Sequence, residues 1–477
     1  MEDTNITALI IVPIYLLIIS GMIIWSGRKI KTFHDYALAG NRLPWYVVGL
    51  TMLVTFIGGG TMLGFVGSYY THGLQWYWMC LSTAAAFLCL GYFVAERIRR
   101  FKLYTLADIF QVRYGENAKR ISGVITCIVG VAVGFAMLSG FANMVHGYLG
   151  LNMDIAMILG VFLFAFTATM GGLVGNAIVD AWSSIVIFGG AIVVAIVAFT
   201  QAGGIAGIST LPINLTDFTA GNIPWVFYIG TIIASAGVAL ADQATIFQRV
   251  NAADSPRSAR KATVWFAWCC LGVFTLMGVM GLSARVILGP GVEGGAVVAT
   301  MLRTMNPVIS AIYAAAVISA VLTTANSLYL SASMTFARDL VQAFKPSISD
   351  KQMIIIARLF VWVMAGISFF VIRFNPGIMR WIMLGYTVVS CLIIPLYGGL
   401  LIKRATPASG FYSLTLSIVG VLTWELLGSP GGYPSIYIAV ILGTLGFVAG
   451  FSSKTKSSPE QEAMVDTFRL PLEKKSG

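Results

Sequence analysis

The sequence predicts an all-α protein that crosses a membrane many times, and three observations carry that reading. Hydrophobic residues make up 58% and charged residues only 10% of the 477 residues, with a mean hydropathy of +0.86. About 13 stretches reach the roughly 20 mostly apolar residues that a spanning helix needs. They centre near residues 15, 56, 84, 134, 163, 189, 236, 274, 320, 362, 390, 418 and 442. The third observation is the placement of Lys and Arg. With the N-terminus outside and the C-terminus in the cytoplasm, the inside segments hold Arg28, Lys29, Lys31 and Arg42, then Arg97, Arg99, Arg100, Lys102, Arg113, Lys119 and Arg120. Arg249, Arg257, Arg260 and Lys261 follow, then Arg338, Lys345, Lys351, Lys403 and Arg404, whereas the outside segments hold Arg285, Arg303, Arg373 and Arg380. That asymmetry is the positive-inside pattern of a plasma or inner membrane protein.

The net charge of +11 is spread through these short loops and forms no basic face, which excludes nucleic acid as a partner and leaves the lipid bilayer. The first apolar segment has no basic n-region and no clear cleavage site, so residues 1–30 read as a retained helix. All six cysteines fall in expected spans, without CxxC spacing, and read as packing residues. NIT at Asn5 and NLT at Asn214 are glycosylation sequons that would lie outside. After Phe451 the chain turns polar, and residues 452–477 read as a flexible cytoplasmic tail. No Walker motif, HExxH, GxSxG or metal-spaced His/Cys cluster is present, and nothing points to an enzyme. Chemistry must sit inside the membrane, and no feature sets an oligomeric state.

Two spans look interrupted. The second contains TFIGGGTMLGFVG, with Gly58, Gly59 and Gly60 in a row, and the seventh contains ASAGVALADQATIFQR, with Gly237 ahead of Asp242 and Gln243. Interruptions at corresponding positions of two halves point to a transport site built from broken helices. If each starts a five-helix unit, the odd number gives the units opposite topology. The competing reading is close packing of small residues. The ninth span contains SAVLTTANSLYLSA, in which Thr323, Thr324, Asn326 and Ser327 put oxygens along one side of a helix. Hydroxyls and freed carbonyls suit a dehydrated sodium ion, which wants about five or six oxygens; equally, Ser and Thr can satisfy themselves on carbonyls one turn back. Asp180, near the start of the sixth span, is either an intramembrane acid with a function or a headgroup-level acid, and the polar run Gln243, Gln248 and Arg249 reads as a cytoplasmic helix end.

DYALAGNRLPWYVVG (Asp35 to Gly49), RIRRFKLYTLADIFQVRYG (Arg97 to Gly115), GGL…VDAW, DQATIFQRVNAADSPRSARKA (Asp242 to Ala262) and TTANS…ARDL (Thr323 to Leu340) occur in that order. Together they resemble the sodium/solute symporter family, which includes proline, pantothenate, sialic acid, monocarboxylate and sugar carriers. The resemblance implies a leucine-transporter-like core of two inverted five-helix repeats, expected at 43–202 and 224–402. An extra helix over 1–30 would precede them and two helices over 408–451 would follow. It also implies Na+ as coupling ion, bound by hydroxyls of Thr323 and Thr324 and carbonyls of Ala320, Val54 and Ile57. A second sodium site of some members would fall on Asp180, Asn326 and Ser327, with Asn326 standing where those members have serine. The acid that binds sugar in sugar carriers matches Met79, and the fourth span (about Ile121 to Tyr148) lacks the arginine of sialic acid carriers.

The expected activity is sodium-coupled symport of a small organic solute, an amino acid or a carboxylate. One Na+ suffices for that: roughly 150 mV at about 2.3 kcal/mol per charge per 100 mV supplies about 3.5 kcal/mol, and a tenfold gradient adds about 1.4 kcal/mol. A solute cavity is expected between Phe56, the amides of Gly58, Gly59 and Gly60, Trp78, Ser82 and Gln243. The competing functions are a membrane sensor working with a separate signalling partner and a proton-coupled carrier of the same fold.

Overall fold

The computed structural model describes residues 3–28, 32–219, 224–374 and 377–472; Lys29, Lys31 and the last five residues of the tail lie outside the described residues. Helices account for most of the described residues. Among the described residues the only β pairing is an isolated bridge between Leu43 and Ala253. The helices used below are α1 (Asp3–Gly27), α2 (Trp45–Phe56), α3 (Gly59–His72), α4 (Tyr77–Cys89), α5 (Leu106–Tyr114), α6 (Glu116–Leu149), α7 (Met153–Gln201) and α8 (Trp225–Ala241). They continue with α9 (Gln248–Ala252), α10 (Pro256–Leu288), α11 (Pro307–Thr335), α12 (Asp350–Phe374), α13 (Ile378–Ser390), α14 (Ile393–Leu401), α15 (Pro407–Leu426), α16 (Ile436–Ala449) and α17 (Pro459–Arg469).

Nine helical stretches among the described residues are long and apolar enough to cross a membrane, fewer than the thirteen expected. The difference has local causes. The second expected span is cut after Phe56, which leaves α2 only 12 residues long. Its remainder, α3, runs on toward Arg100 through a turn at Gly73, whose φ of 67° favours glycine. The fifth and sixth expected spans form one 49-residue element, α7, kinked at Gly172, where φ is 52°. In α15 the serines lower the hydropathy, and they face α16: the Ser413 and Ser417 hydroxyls donate to the carbonyls of Gly443 and Ala439, both at 2.8 Å.

Burial sorts the helices. In α1 Ala8, Val12, Ile19 and Ile23 are buried against α7 and α11, while Leu17 is 72% exposed on the opposite face, the one-sided pattern of a peripheral helix. In α11 every residue from Tyr313 to Thr335 is buried, including Ser319, Thr323, Thr324, Asn326, Ser327 and Ser331. A helix buried all round must satisfy its polar side chains internally. α11 packs against α6, α7 and α2, and most of its polar side chains find partners there or on its own carbonyls, Ser331 and Thr335 excepted.

The basic residues of the loops gather at one end of the bundle. Asp108 caps α5 through the Thr105 amide (3.1 Å) and takes a charge-assisted bond from Arg338 (2.6 Å), with Lys119 3.8 Å away. Arg113 is buried and holds the carbonyls that end α14: Gly399 (2.9 Å), Ile402 (2.9 Å) and Lys403 (3.0 Å). Burial draws its guanidinium below the usual arginine value. The tail departs from the flexible segment that its polarity suggested. Ser458 and Gln461 form a capping box, and α17 buries Met464, Val465 and Phe468. Arg469 donates to the Leu401 carbonyl (2.7 Å), and Arg97 stands over the Phe468 ring at 5.6 Å.

Candidate functional site

The first break follows from the glycines. α2 ends at Ile57, whose amide donates to the Leu53 carbonyl (2.8 Å); Gly58 is extended, and α3 starts at Gly59. Ending a helix frees the carbonyls of its last turn. Here the Val54 carbonyl accepts the Thr324 hydroxyl of α11 (3.2 Å), and the Phe56 carbonyl accepts the Thr61 hydroxyl (2.9 Å). The glycines also allow close approach. A Cβ at Gly58 would collide with the Thr324 hydroxyl, one at Gly59 with Val321, and one at Gly60 with Met137 of α6. Break and close packing, the two readings of the triplet, are both true of it.

The second break lies at Asp242, which is extended (φ −73°, ψ 100°) between α8 and a wide turn over Gln243–Phe247. The Asp242 carboxylate accepts the Thr245 amide at 3.0 Å and starts that turn. The wide turn leads into α9 and carries Arg249 into the protein, where it is fully buried. The reading of Arg249 as a cytoplasmic, headgroup-level charge is therefore corrected: the interruption at Asp242 bends the chain so that Arg249 faces α2, α7 and α11.

Of the residues expected to hold sodium, Val54 and Thr324 are brought into contact. Ala320 and Thr323 are joined beside them through the Thr323 hydroxyl on the Ala320 carbonyl (3.3 Å), and Ile57 closes α2; all five are buried. Of the second set, Asp180 and Ser327 come together, but with Arg249 between them. Arg249 donates to Ser327 and Thr55 (both 2.7 Å) and Thr51 (3.1 Å), and it lies 3.5 Å from the Asp180 carboxylate. Asn326 turns to Thr167 of α7, 2.8 Å away. Thr51 and Thr55 also join this cluster, which sequence reasoning missed; their spacing of four, on one face of α2, was the available signal.

The expected solute residues divide. Phe56 lines a small cavity of about 40 Å³ together with Thr61, Thr324, Asp242, Tyr386 and Val133. Gly58, Gly59 and Gly60 do not line it; they pack against α11 and α6. Ser82 is held by Ser235 of α8 (3.0 Å), and Gln243 accepts the Leu106 amide (2.6 Å) below the break. Trp78 is not brought to this cavity: it is 44% exposed and donates to the Phe218 carbonyl. Two further cavities lead away from the basic end. One of about 160 Å³ shares Tyr386 with the inner cavity, and one of about 420 Å³ shares Phe227 and Met383 with the middle one. Trp76 lines the outermost, 5.8 Å from His72 between ring centres.

With two broken helices facing a buried hydroxyl helix, the chain has the parts of an ion-coupled carrier. Residues 36–406 match the model of the sodium:solute symporter family. The chain belongs to that family. Among solved structures it is similar to a Na+-coupled sialic acid symporter in a substrate-bound outward-open state, at 19% identity and a TM-score of 0.82, covering 95% of this chain and 99% of that one. It is also similar to a nucleobase-cation-symport-1 family transporter in a closed conformation (13% identity, TM-score 0.62, covering 91% and 98%). A third is the transporter MhsT in complex with L-phenylalanine (18% identity, TM-score 0.55, covering 85% and 98%). This sodium:solute symporter thus has the leucine-transporter-like core of two inverted five-helix repeats, and Na+ is its coupling ion.

Proposed function

We propose that this symporter uses the sodium gradient to import a small zwitterionic solute, an amino acid, by alternating access. One observation carries the reading: the Thr324 hydroxyl meets the Val54 carbonyl where α2 breaks. Both oxygens, with the Ile57 and Ala320 carbonyls and the Thr323 hydroxyl, would turn to a bound Na+. The ion would tie the first repeat to the second, which is what couples it to a conformational change. The repeats run over 43–202 and 224–402, after an extra helix at 1–30 and before two helices at 408–451. The basic end faces the cytoplasm.

The solute class rests on the inner cavity, which is lined by the Asp242 carboxylate and by Thr61 in the first turn of α3. An amine suits the first and a carboxylate the second. A bare carboxylate would face Asp242 without compensation. Sialic acid is disfavoured because no arginine stands in residues 121–149 of α6.

The test is tryptophan fluorescence and melting temperature of the purified protein, titrated with Na+ against K+, for the wild type and Thr324→Ala. A saturable Na+-selective response in the wild type, displaced to much higher Na+ concentration in the variant, is the expected result. No response in the wild type, with uptake driven by a pH gradient instead, would establish a proton-coupled carrier and sink the sodium site.

A further inference from the structure

One turn below the Val54–Thr324 contact lies a second cage of oxygens. Thr55 follows Val54 on α2, and Ser327 lies one turn beyond Thr324 on α11, so the two cages are separated by about 5 Å. The second comprises the hydroxyls of Thr51, Thr55 and Ser327, the Asp180 carboxylate and the Ala244 carbonyl. Five oxygens from four segments, one of them anionic, make a site for a monovalent cation. The Arg249 guanidinium stands in it. Nε donates to Thr51, Nη2 to Thr55 and Ser327, and Nη1 to Ala244, while the Thr51 hydroxyl in turn donates to Asp180. Arg249 and Asp180 are each fully buried.

We infer that Arg249 is a covalently attached cation that takes the place of a second sodium ion, so that only the Thr324 site exchanges Na+. The inference builds on the sodium site proposed above but is tested separately from it. Guanidinium keeps its proton throughout the accessible pH range and is less strongly hydrated than an ammonium, which fits it for permanent residence in a dry cage. Charge supports the same count. The guanidinium feels two carboxylates, Asp180 and Asp242. Two negative charges and one positive leave a deficit of one, which a single Na+ cancels. A second Na+ beside Arg249 would put two cations on one carboxylate in a low-dielectric interior.

Equilibrium binding of radioactive Na+ to the purified full-length chain counts the sites. The wild type is expected to hold one Na+ per chain. Arg249→Ala is expected to hold two, with the Hill coefficient rising from 1 toward 2, because the vacated cage keeps its oxygens. The double variant Asp180→Asn/Arg249→Ala removes one charge of each sign, so it keeps the net buried charge and guards against a failure to fold in the single variant. It is expected to return to one. Two Na+ per wild-type chain would overturn the inference, as would a folded Arg249→Ala that gains no site. If the wild type binds none while Arg249→Ala gains one that needs Asp180, the Thr324 site falls and the role of Arg249 stands; if neither binds Na+, both fall.

Discussion

The two broken spans solve the same problem with different chemistry. At Ile57–Gly58 the chain offers only dipoles: freed carbonyls, hydroxyls from α11 and three residues without side chains. At Asp242 it offers charge, a carboxylate that starts the next turn and an arginine seven residues later that reaches back into the core. A cage of hydroxyl and carbonyl oxygens can take up and release a monovalent ion at modest cost, because none of its own ligands carries a full charge. A cage containing an acid needs a permanent partner. The first break is thus suited to exchange and the second to anchorage.

The most damaging way to break that contrast is to fill the neutral cage. Gly58→Ala should put a methyl group onto the Thr324 hydroxyl, and sodium-dependent stabilisation should fall by about 100-fold or more in apparent affinity, since overpacking and ligand loss act together. Next is the ligand itself. Thr324→Ala should weaken Na+ about 10- to 100-fold, the effect of about 1–3 kcal/mol for a lost buried polar contact, whereas Thr324→Ser should restore most of it; equal affinities for the two variants would remove the hydroxyl from the site. Asp242→Asn should cost about tenfold in apparent affinity for amino acids in a solute screen, about 1.4 kcal/mol, with a smaller change in Na+ affinity. If Na+ affinity falls more than solute affinity, the carboxylate belongs to the ion. Smallest of all should be Lys403→Ala, which removes the exposed ion pair to Asp466 (2.5 Å) on the tail helix. Its contribution is expected below about 1 kcal/mol, a shift in melting temperature near the resolution of the measurement.

The sequence made one break far easier to read than the other. Gly58, Gly59 and Gly60 announce an interruption by composition, and Thr323 and Thr324 place hydroxyls at a depth no headgroup reaches. Arg249 carried the opposite signal. A basic residue a few positions before a hydrophilic loop reads as a charge at the membrane surface, and only the wide turn after Asp242, a tertiary feature, decides that it points inward. Asp180 was ambiguous for the same reason, because depth along a helix is legible in sequence but direction of approach by a partner is not. The tail erred differently: its polarity suggested disorder, although Ser458-Pro459-Glu460-Gln461 is a helix-starting pattern and Met464, Val465 and Phe468 are spaced for one face. Trp78, chosen for its ring, instead holds the Phe218 carbonyl and packs against Tyr228 at the surface.

The three cavities that narrow from about 420 to 160 to 40 Å³ form a drying sequence. A water needs at least about 10–15 Å³ of such space, so on the transport route proposed above a solute would pass from a mouth with room for its hydration shell to a chamber with room for a few water molecules. Each step would strip solvent that Phe227, Met383 and Tyr386, the residues shared by successive chambers, cannot replace with charge. Molecules would then be sorted by how cheaply they shed water before any ligand of the inner site touches them.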